Sequence, residues 1–442
     1  MSRWMPSFWL FLKIAVLAVA IIGATLYPGE AQITWMGYVI NLPVAVVLAA
    51  IVVVFAILIL IYHTWRYLRL MPYRMKNVLE QRRVQKGEKL LLEGLTAIAA
   101  QQPEEAAESV EFAKSLIPNH PLTVFIAAQS AHLAKDSAKA SEYFYEMIQN
   151  PQLAFMGYRG LIAQAQEKKD WHQVKSFLNH AFKLRPDSPW VVQEMLKTQI
   201  YLSRLEIIPG QETLPVYRYV PRAEWKRHEA LCLWLQSLHL SETAEDYVAM
   251  LVRAHQLDPS LMSVSIALAK HYERLEDMGR AQKVLIHNFK VAPHRDICKA
   301  WLDLWRDLNG AQQYKYLEKL TKHNPIHYES IWSLAECAFK NQLWGQARSH
   351  VEALLKESET AEGYLLMAKI AEAEHPHLRD PINYWQEKAL ACHTGFVWRC
   401  RTCNYVHEEW GGVCDHCEAT DTIEWKLING EQRMVVPLLI SG

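Results

Sequence analysis

Glycine and proline are scarce in these 442 residues, 17 and 19 in number. That excludes collagen-like and Gly-rich chains and argues against many short strands joined by tight turns. Charge of one sign is also missing. Lys+Arg total 47 and Asp+Glu total 47, so neither a strongly basic nucleic-acid binder nor an acidic tail protein fits. Eight cysteines are too few for a disulfide-built secreted domain of this length. The phosphate-cradling G-x-x-x-x-G-K-[ST], the metal-binding H-E-x-x-H, the nucleophile elbow G-x-S-x-G and the dinucleotide fingerprint G-x-G-x-x-G do not occur. No catalytic residue and no organic-cofactor-binding residue is assigned, and the chain is expected not to be an enzyme. What is present is ample apolar material, 51% hydrophobic against 21% charged, which excludes global disorder. The length predicts two or three domains.

Two apolar stretches open the chain. Residues 8–27 contain one charge, Lys13, and residues 38–62 contain none. A helix needs about 20 apolar residues to cross the hydrocarbon core, so both are expected to span. A signal peptide is the alternative for the first, but the second would still hold the chain in the membrane. Lys13 lies near one end and can snorkel to the interface. The segment between them, 28–37, has no Lys or Arg, whereas Arg66, Arg69, Arg74, Lys76, Arg82, Arg83, Lys86 and Lys89 follow the second span. The positive-inside rule then places both termini in the cytoplasm and a short hairpin on the far side. The basic run is also suited to anionic lipid head groups.

From about residue 87 the pattern turns to amphipathic helices of 3.6-residue period, with Pro and short polar turns recurring near every 34 residues. That is the tetratricopeptide (TPR) period. Such a repeat needs small residues where its two helices cross. Gly94, Ala106 and Ala113 precede Pro118, Ala181 precedes Pro186, and Leu268, Ala269, Tyr272, Ala281 and Leu285 precede Pro293. Leu334, Ala335, Ala338 and Ala347 mark a further unit, and weaker units lie at 121–154, 228–261, 294–327 and 362–394. One helix pair cannot bury its apolar face alone; stacking gives a continuous core and an extended surface suited to protein partners. Three prolines and a glycine interrupt the period at 205–221. That stretch reads as an insertion between two sub-arrays, with a hinge or a groove-filling segment as alternatives.

Near the carboxyl end, Cys400, Cys403, Cys414 and Cys417 form C-x2-C-x10-C-x2-C. Two residues between thiols let a tight knuckle aim both sulfurs at one ion, and two knuckles close a tetrahedral four-thiolate site, structural for zinc. Iron of the rubredoxin type also fits four thiolates. A short β-hairpin is expected between the knuckles. Asn404 after the first knuckle tolerates positive φ, while Glu418 stands where Gly would be easier. Phe396, Trp398, Tyr405, Trp410 and Trp425 are available to pack this small module on the last TPR helices. Cys392 and His393 lie close enough in sequence to be alternate ligands; Cys232, Cys298, Cys337 and Cys392 read as ordinary buried thiols. Covalent haem attachment would need Cys-x-x-Cys-His, which is absent, as is any Cys-Pro dipeptide.

The fold class expected is therefore mainly α: two transmembrane helices, a TPR α-solenoid and a small C-terminal β zinc ribbon. The expected division is a two-helix anchor at 1–65, a basic juxtamembrane helix at 66–86, a TPR sub-array at 87–204, a linker at 205–221, a second sub-array at 222–394 and the ribbon at 395–442. Several stretches carry a family resemblance: PGEAQITWMGYVI (28–40), EGLTAIAAQQPEEA (93–106), HPLTVFIAAQSAHLAKD (120–136), FMGYRGLIAQAQEKKDW (155–171) and FKLRPDSPW (182–190). Together they resemble the HemY family, bacterial inner-membrane TPR proteins linked to haem biosynthesis. The ribbon, with Tyr405 after the first knuckle and Trp410 before the second, is similar to that of lipopolysaccharide assembly protein B, a TPR adaptor with one span rather than two. The HemY resemblance implies a multi-pass protein of the bacterial inner membrane, a scaffold for late haem-pathway enzymes held by protein contacts. The second resemblance implies an alternative, an adaptor that presents a client of envelope-lipid synthesis to a membrane protease.

Overall fold

The computed structural model describes residue 22 and residues 29–35, 37–118, 120–208 and 215–428. The expected first span, 8–27, lies almost wholly outside the described residues. The chain divides into two compact units, Met1–Ala140 and Ser141–Gly442.

The first unit begins with an antiparallel hairpin, β1 (Glu30–Trp35) and β2 (Tyr38–Pro43), in register from Glu30↔Pro43 to Trp35↔Tyr38. Gly37, at φ +89, makes its turn, a conformation that costs glycine nothing. Residues 38–43 were expected to be the start of a span and are a strand instead. Pro43 sets the boundary: it stands at the N-cap of α1 (Val44–Ala99), where a residue without an N–H is tolerated. The described residues contain one helix stretch long and apolar enough to cross a membrane, Val46–Arg66, with no part of it buried by the protein. The 56 residues of α1 reach about 84 Å at 1.5 Å per residue. The expected second span, juxtamembrane segment and first repeat helix are thus one helix, because no Gly-Pro or Asn-Gly signal interrupts 44–99. Its last turns pack on α2 (Pro103–Leu116) and α3 (Pro121–Leu133) around Leu91, Val110, Ala113 and Ile126. A Cβ at Gly94 would lie 3.2 Å from Ile126, so the small residue lets the helices meet.

The second unit is an array of antiparallel helices. It comprises α4 (Ser137–Gln149, which crosses the unit boundary), α5 (Ala154–Glu167), α6 (Trp171–Leu184) and α7 (Pro189–Leu205). A 3-10 turn at Pro215–Tyr219 leads into α8 (Arg222–Ser237), α9 (Glu245–Leu257), α10 (Met262–Arg274) and α11 (Met278–Val291). Then come α12 (Arg295–Asp303), α13 (Gly310–Thr321), α14 (Tyr328–Lys340), α15 (Trp344–Glu357), α16 (Ala361–Glu374) and α17 (Arg379–Ala391). The expected crossing residues Ala181, Ala281, Ala335, Ala338 and Ala347 are all fully buried. The repeat is also written in the backbone. Gln101, Lys135 and Lys169 stand 34 residues apart, Glu276 and Gln342 stand 66 apart, and all five hold φ between 56 and 61. Each ends the first helix of a pair in the left-handed conformation that terminates helices. At three of the turns an Asp follows whose carboxylate accepts the N–H three residues on: Asp136 from Lys139 at 3.1 Å, Asp170 from Gln173 and Asp277 from Arg280 at 3.0 Å. Those are N-caps for the second helix. The fold is a TPR-like solenoid, mainly helical.

The described residues end in a three-stranded antiparallel sheet, ordered β4-β3-β5, from β3 (Gly395–Cys400), β4 (Val406–His407) and β5 (Ile423–Ile428).

Candidate metal centre and its seat on the array

The two Cys-x-x-Cys segments fold into knuckles with the same bonding. In the first, the Cys400 N–H donates to Tyr405 O (2.9 Å) and the Asn404 N–H to Cys400 O (3.0 Å); in the second, Cys414 donates to Ala419 O and Glu418 to Cys414 O, both at 2.9 Å. The fifth residue of each turn must adopt positive φ, and Asn404 (62°) and Glu418 (57°) do so. The first knuckle is itself the turn between β3 and β4, with Trp398↔His407 and Arg399↔Val406 paired. The expected hairpin therefore wraps the knuckle rather than lying between the two.

The knuckles bring the four expected ligands together, with all sulfurs within 4.8 Å of one another. Cys400–Cys417 and Cys403–Cys414 are 3.7 Å apart. A regular tetrahedron with metal–sulfur bonds of about 2.3 Å has edges of about 3.8 Å, so the cage fits a tetrahedral thiolate-bound ion; disulfides would need about 2.05 Å. Burial opposes ionisation at all four. At Cys400 the Thr422 hydroxyl, 3.2 Å away, and the knuckle amides prevail and bring the thiol down to about 6. At Cys403, Cys414 and Cys417 burial prevails and the thiols sit above their ordinary value. Four thiolates in one cage therefore call for a cation.

His407 was not singled out in the sequence. Its Nε2 lies 3.3 Å from Cys414 Sγ, the place of a second-layer donor to a ligand. Its signal is its position seven residues before Cys414, too common a spacing to stand out. Cys392 is directed elsewhere, donating to Glu359 O at 3.4 Å. Cys232 and Cys298 are buried, and burial pushes their thiols up to about 12.

The ribbon sits on the middle of the array, not on its last helices as expected. Phe396 meets Tyr328 at 4.5 Å, Trp398 stacks on His294 at 5.1 Å, and the Trp425 indole N–H donates to Glu329 Oε1 at 3.0 Å. Tyr405 stays within the ribbon, stacked on His416. Gly412 comes so close to α8 that a Cβ there would meet Leu231 at 2.9 Å. Ion pairs accompany the apolar packing of Val413 and Trp410 at this position. The second knuckle carries Asp415, Glu418 and Asp421, and the middle helices carry their partners. Arg227 holds Asp421 with two bonds, 2.6 and 2.8 Å, and reaches Asp258 at 3.1 Å. Lys169 pairs with Glu418 at 2.7 Å, which accounts for a Glu at that strained position, and the Tyr201 hydroxyl donates to the Glu418 carbonyl.

Below Trp425 lies a buried ion cluster. Arg295 donates to Glu329 at 2.8 and 3.0 Å and to Glu362 at 2.8 and 2.9 Å. Its guanidinium lies over the rings of Trp332 and Trp425. Burial would raise the Glu329 carboxyl, but Arg295 outweighs it and holds the group below its ordinary value. A cavity of about 430 Å³ opens beside this junction, lined by Arg227, Ser260, His294, Trp398, Trp410 and Trp425 among others.

Comparison with known proteins places the amino-terminal part. Residues 29–135 match the family model of the HemY protein N-terminus. That stretch holds the hairpin, the long helix α1 with its apolar stretch, and α2 and α3. A curated relative, the probable magnetosome protein Mms48 of Magnetospirillum gryphiswaldense, is 31% identical over 160 residues, 36% of each chain; the chain thus spans about a third of that relative. Among solved structures, the TPR2AB domain of yeast Sti1 in its pHSP90 complex covers 69% of this chain and 98% of its own at 12% identity and a TM-score of 0.28. Yeast Tom70 covers 69% of both chains at 14% identity and a TM-score of 0.25. At those scores the two likenesses carry no argument. The solenoid assignment rests on the helix pairs and turns described above.

Proposed function

We propose that this chain is a membrane-anchored cytoplasmic TPR scaffold of the HemY type, which organises late haem biosynthesis by holding pathway enzymes near the membrane. The observation that carries the reading is the HemY N-terminal match over residues 29–135, which joins the apolar helix to the first repeats. The Lys/Arg asymmetry after residue 62 supports a cytoplasmic array and a two-span anchor. A scaffold works by proximity: linking two binding events raises occupancy by about 10²–10⁴ with no catalytic group. The four-cysteine cage has no open ligand position when it holds one ion, and the chain is proposed to be no enzyme.

Zinc is the proposed occupant of the Cys400, Cys403, Cys414 and Cys417 cage, and the 3.7 Å sulfur spacing supports it. Four-coordinate zinc with no free position stabilises a fold and supplies no catalysis. In the chain itself, the knuckle amides and Thr422 prepare the sulfurs, and His407 positions Cys414. About one zinc per chain is expected in the purified protein, and Cys414→Ser should lose it; full retention would show that the ligands are wrong. The test of the scaffold reading is depletion in the cell. Accumulated porphyrin intermediates support it, and altered lipopolysaccharide with normal porphyrins would replace it with the envelope-lipid adaptor.

A further inference from the structure

We infer that the ribbon is a metal-latched cover for the solenoid, and that loss of its metal opens the face of the middle helices on which it now sits. The inference goes beyond the scaffold reading and depends only on the cage being a metal site.

The polar ties between second knuckle and array come from residues 415–421: Asp415 to Arg204 at 3.7 Å, Glu418 to Lys169 and Tyr201, and Asp421 to Arg227; Val413 and Trp410 add apolar packing beside them. Cys414 and Cys417 set the shape of that loop, and both are ligands. The metal therefore fixes the geometry that presents three carboxylates and one carbonyl to four array side chains at once. The 34 described residues 395–428, with few buried apolar side chains, hold little folding energy of their own, so ligation and docking are linked.

The covered surface has its own chemistry. Under Trp425 lie His294, Arg295, Glu329 and Trp332, joined to Glu362 through Arg295. His294 caps α12 and Arg295 begins it, Glu329 and Trp332 belong to α14, and Glu362 belongs to α16. Glu329 is fully buried and accepts from both Arg295 and the Trp425 indole. Uncovered, this is a recess for an aromatic side chain bearing an N–H or O–H donor, and Trp425 fills it in the closed form.

The test is hydrogen exchange with mass-spectrometric readout on the full chain in detergent, with metal content measured on the same samples. Chelation, or Cys414→Ser, should speed exchange by about tenfold or more in Gly395–Ile428 and in array segments 227–235, 258–262 and 294–302. The outer helices Gly310–Thr321 and Trp344–Glu357 should stay as they were, and added zinc should restore protection after chelation. Trp425→Ala leaves the four cysteines intact, so it should keep its metal and still expose 294–302 and 328–332. Unchanged protection of the inner segments on metal removal overturns the inference, as does a Trp425→Ala chain that stays fully protected. Loss of protection throughout the array overturns it differently, making the ribbon a structural member rather than a cover. A chain that never holds metal would instead refute the zinc assignment, and the metal measurement tells the two failures apart.

Discussion

Replacing Arg295 by Met tests the buried ion cluster. The variant keeps length and apolar bulk but removes four hydrogen bonds to Glu329 and Glu362. The Arg295 side chain is 13% exposed and that of Glu329 0%, so solvent cannot take over. Glu329 would retain the Arg295 backbone N–H at 3.0 Å and the Trp425 indole at 3.0 Å, too little for a full charge. Breaking a buried pair from one side costs about 3–5 kcal/mol, or roughly 5–8 °C in melting temperature for a unit of this size. The pH dependence carries the sign. In the wild type Glu329 is held below its ordinary value, so its contribution is complete above about 4.5 and is lost as pH falls through the lower folded value. Without the Arg295 side chain, burial outweighs the two donors that remain and Glu329 moves above its ordinary value, so acidification toward about pH 5 relieves the variant by protonating it. Thermal unfolding in detergent at pH 7.5 and pH 5 should show the gap between wild type and Arg295→Met narrowing at the lower pH. Arg295→Met combined with Glu329→Gln should recover part of the loss at pH 7.5. A gap equal at both pH values, with no recovery in the double variant, would refute the reasoning.

Three further outcomes are expected. Gly160→Ala places a Cβ 2.3 Å from the buried Phe144 ring and should cost about 1–3 kcal/mol in thermal unfolding, with Phe144→Leu in the same chain giving part of it back. Acidification should release zinc, because Cys403, Cys414 and Cys417 sit above their ordinary thiol value without it and protons compete for the sulfurs; a metal-sensitive dye should read full retention at pH 7.5 and loss below about pH 5. A reporter active only outside the cytoplasm should be silent after residue 442 and active near Glu30; the reverse pattern would invert the topology.

The repeat helices were legible because helix-crossing positions accept only small residues and because Pro and short polar turns recur near every 34 residues. The weaker units at 228–261 and 294–327 lacked small-residue signatures, yet α8 and α9, and α12 and α13, fill them. Packing on neighbours supplied what local pattern did not. The metal ligands were legible from spacing alone, since Cys-x-x-Cys encodes a knuckle locally. The ribbon's seat was not, because Lys169–Glu418 and Arg227–Asp421 join residues 249 and 194 positions apart, and no periodicity reports such pairs. The continuity of α1 was missed for a related reason. A change from apolar to basic composition reads as a domain boundary, but a helix backbone needs a Pro, a Gly or a cap to stop, and Val44–Ala99 contains one proline, Pro72, and two glycines, Gly87 and Gly94, none of which ends it.

The scaffold account is tested most directly by crosslinking the full chain in its native membrane and identifying what is captured by mass spectrometry. It predicts a haem-pathway enzyme crosslinked to residues of the TPR array, with the purified chain alone leaving protoporphyrinogen and protoporphyrin unchanged. Capture of an envelope-lipid enzyme with no haem-pathway protein, or conversion of a porphyrin by the chain unaided, would contradict it.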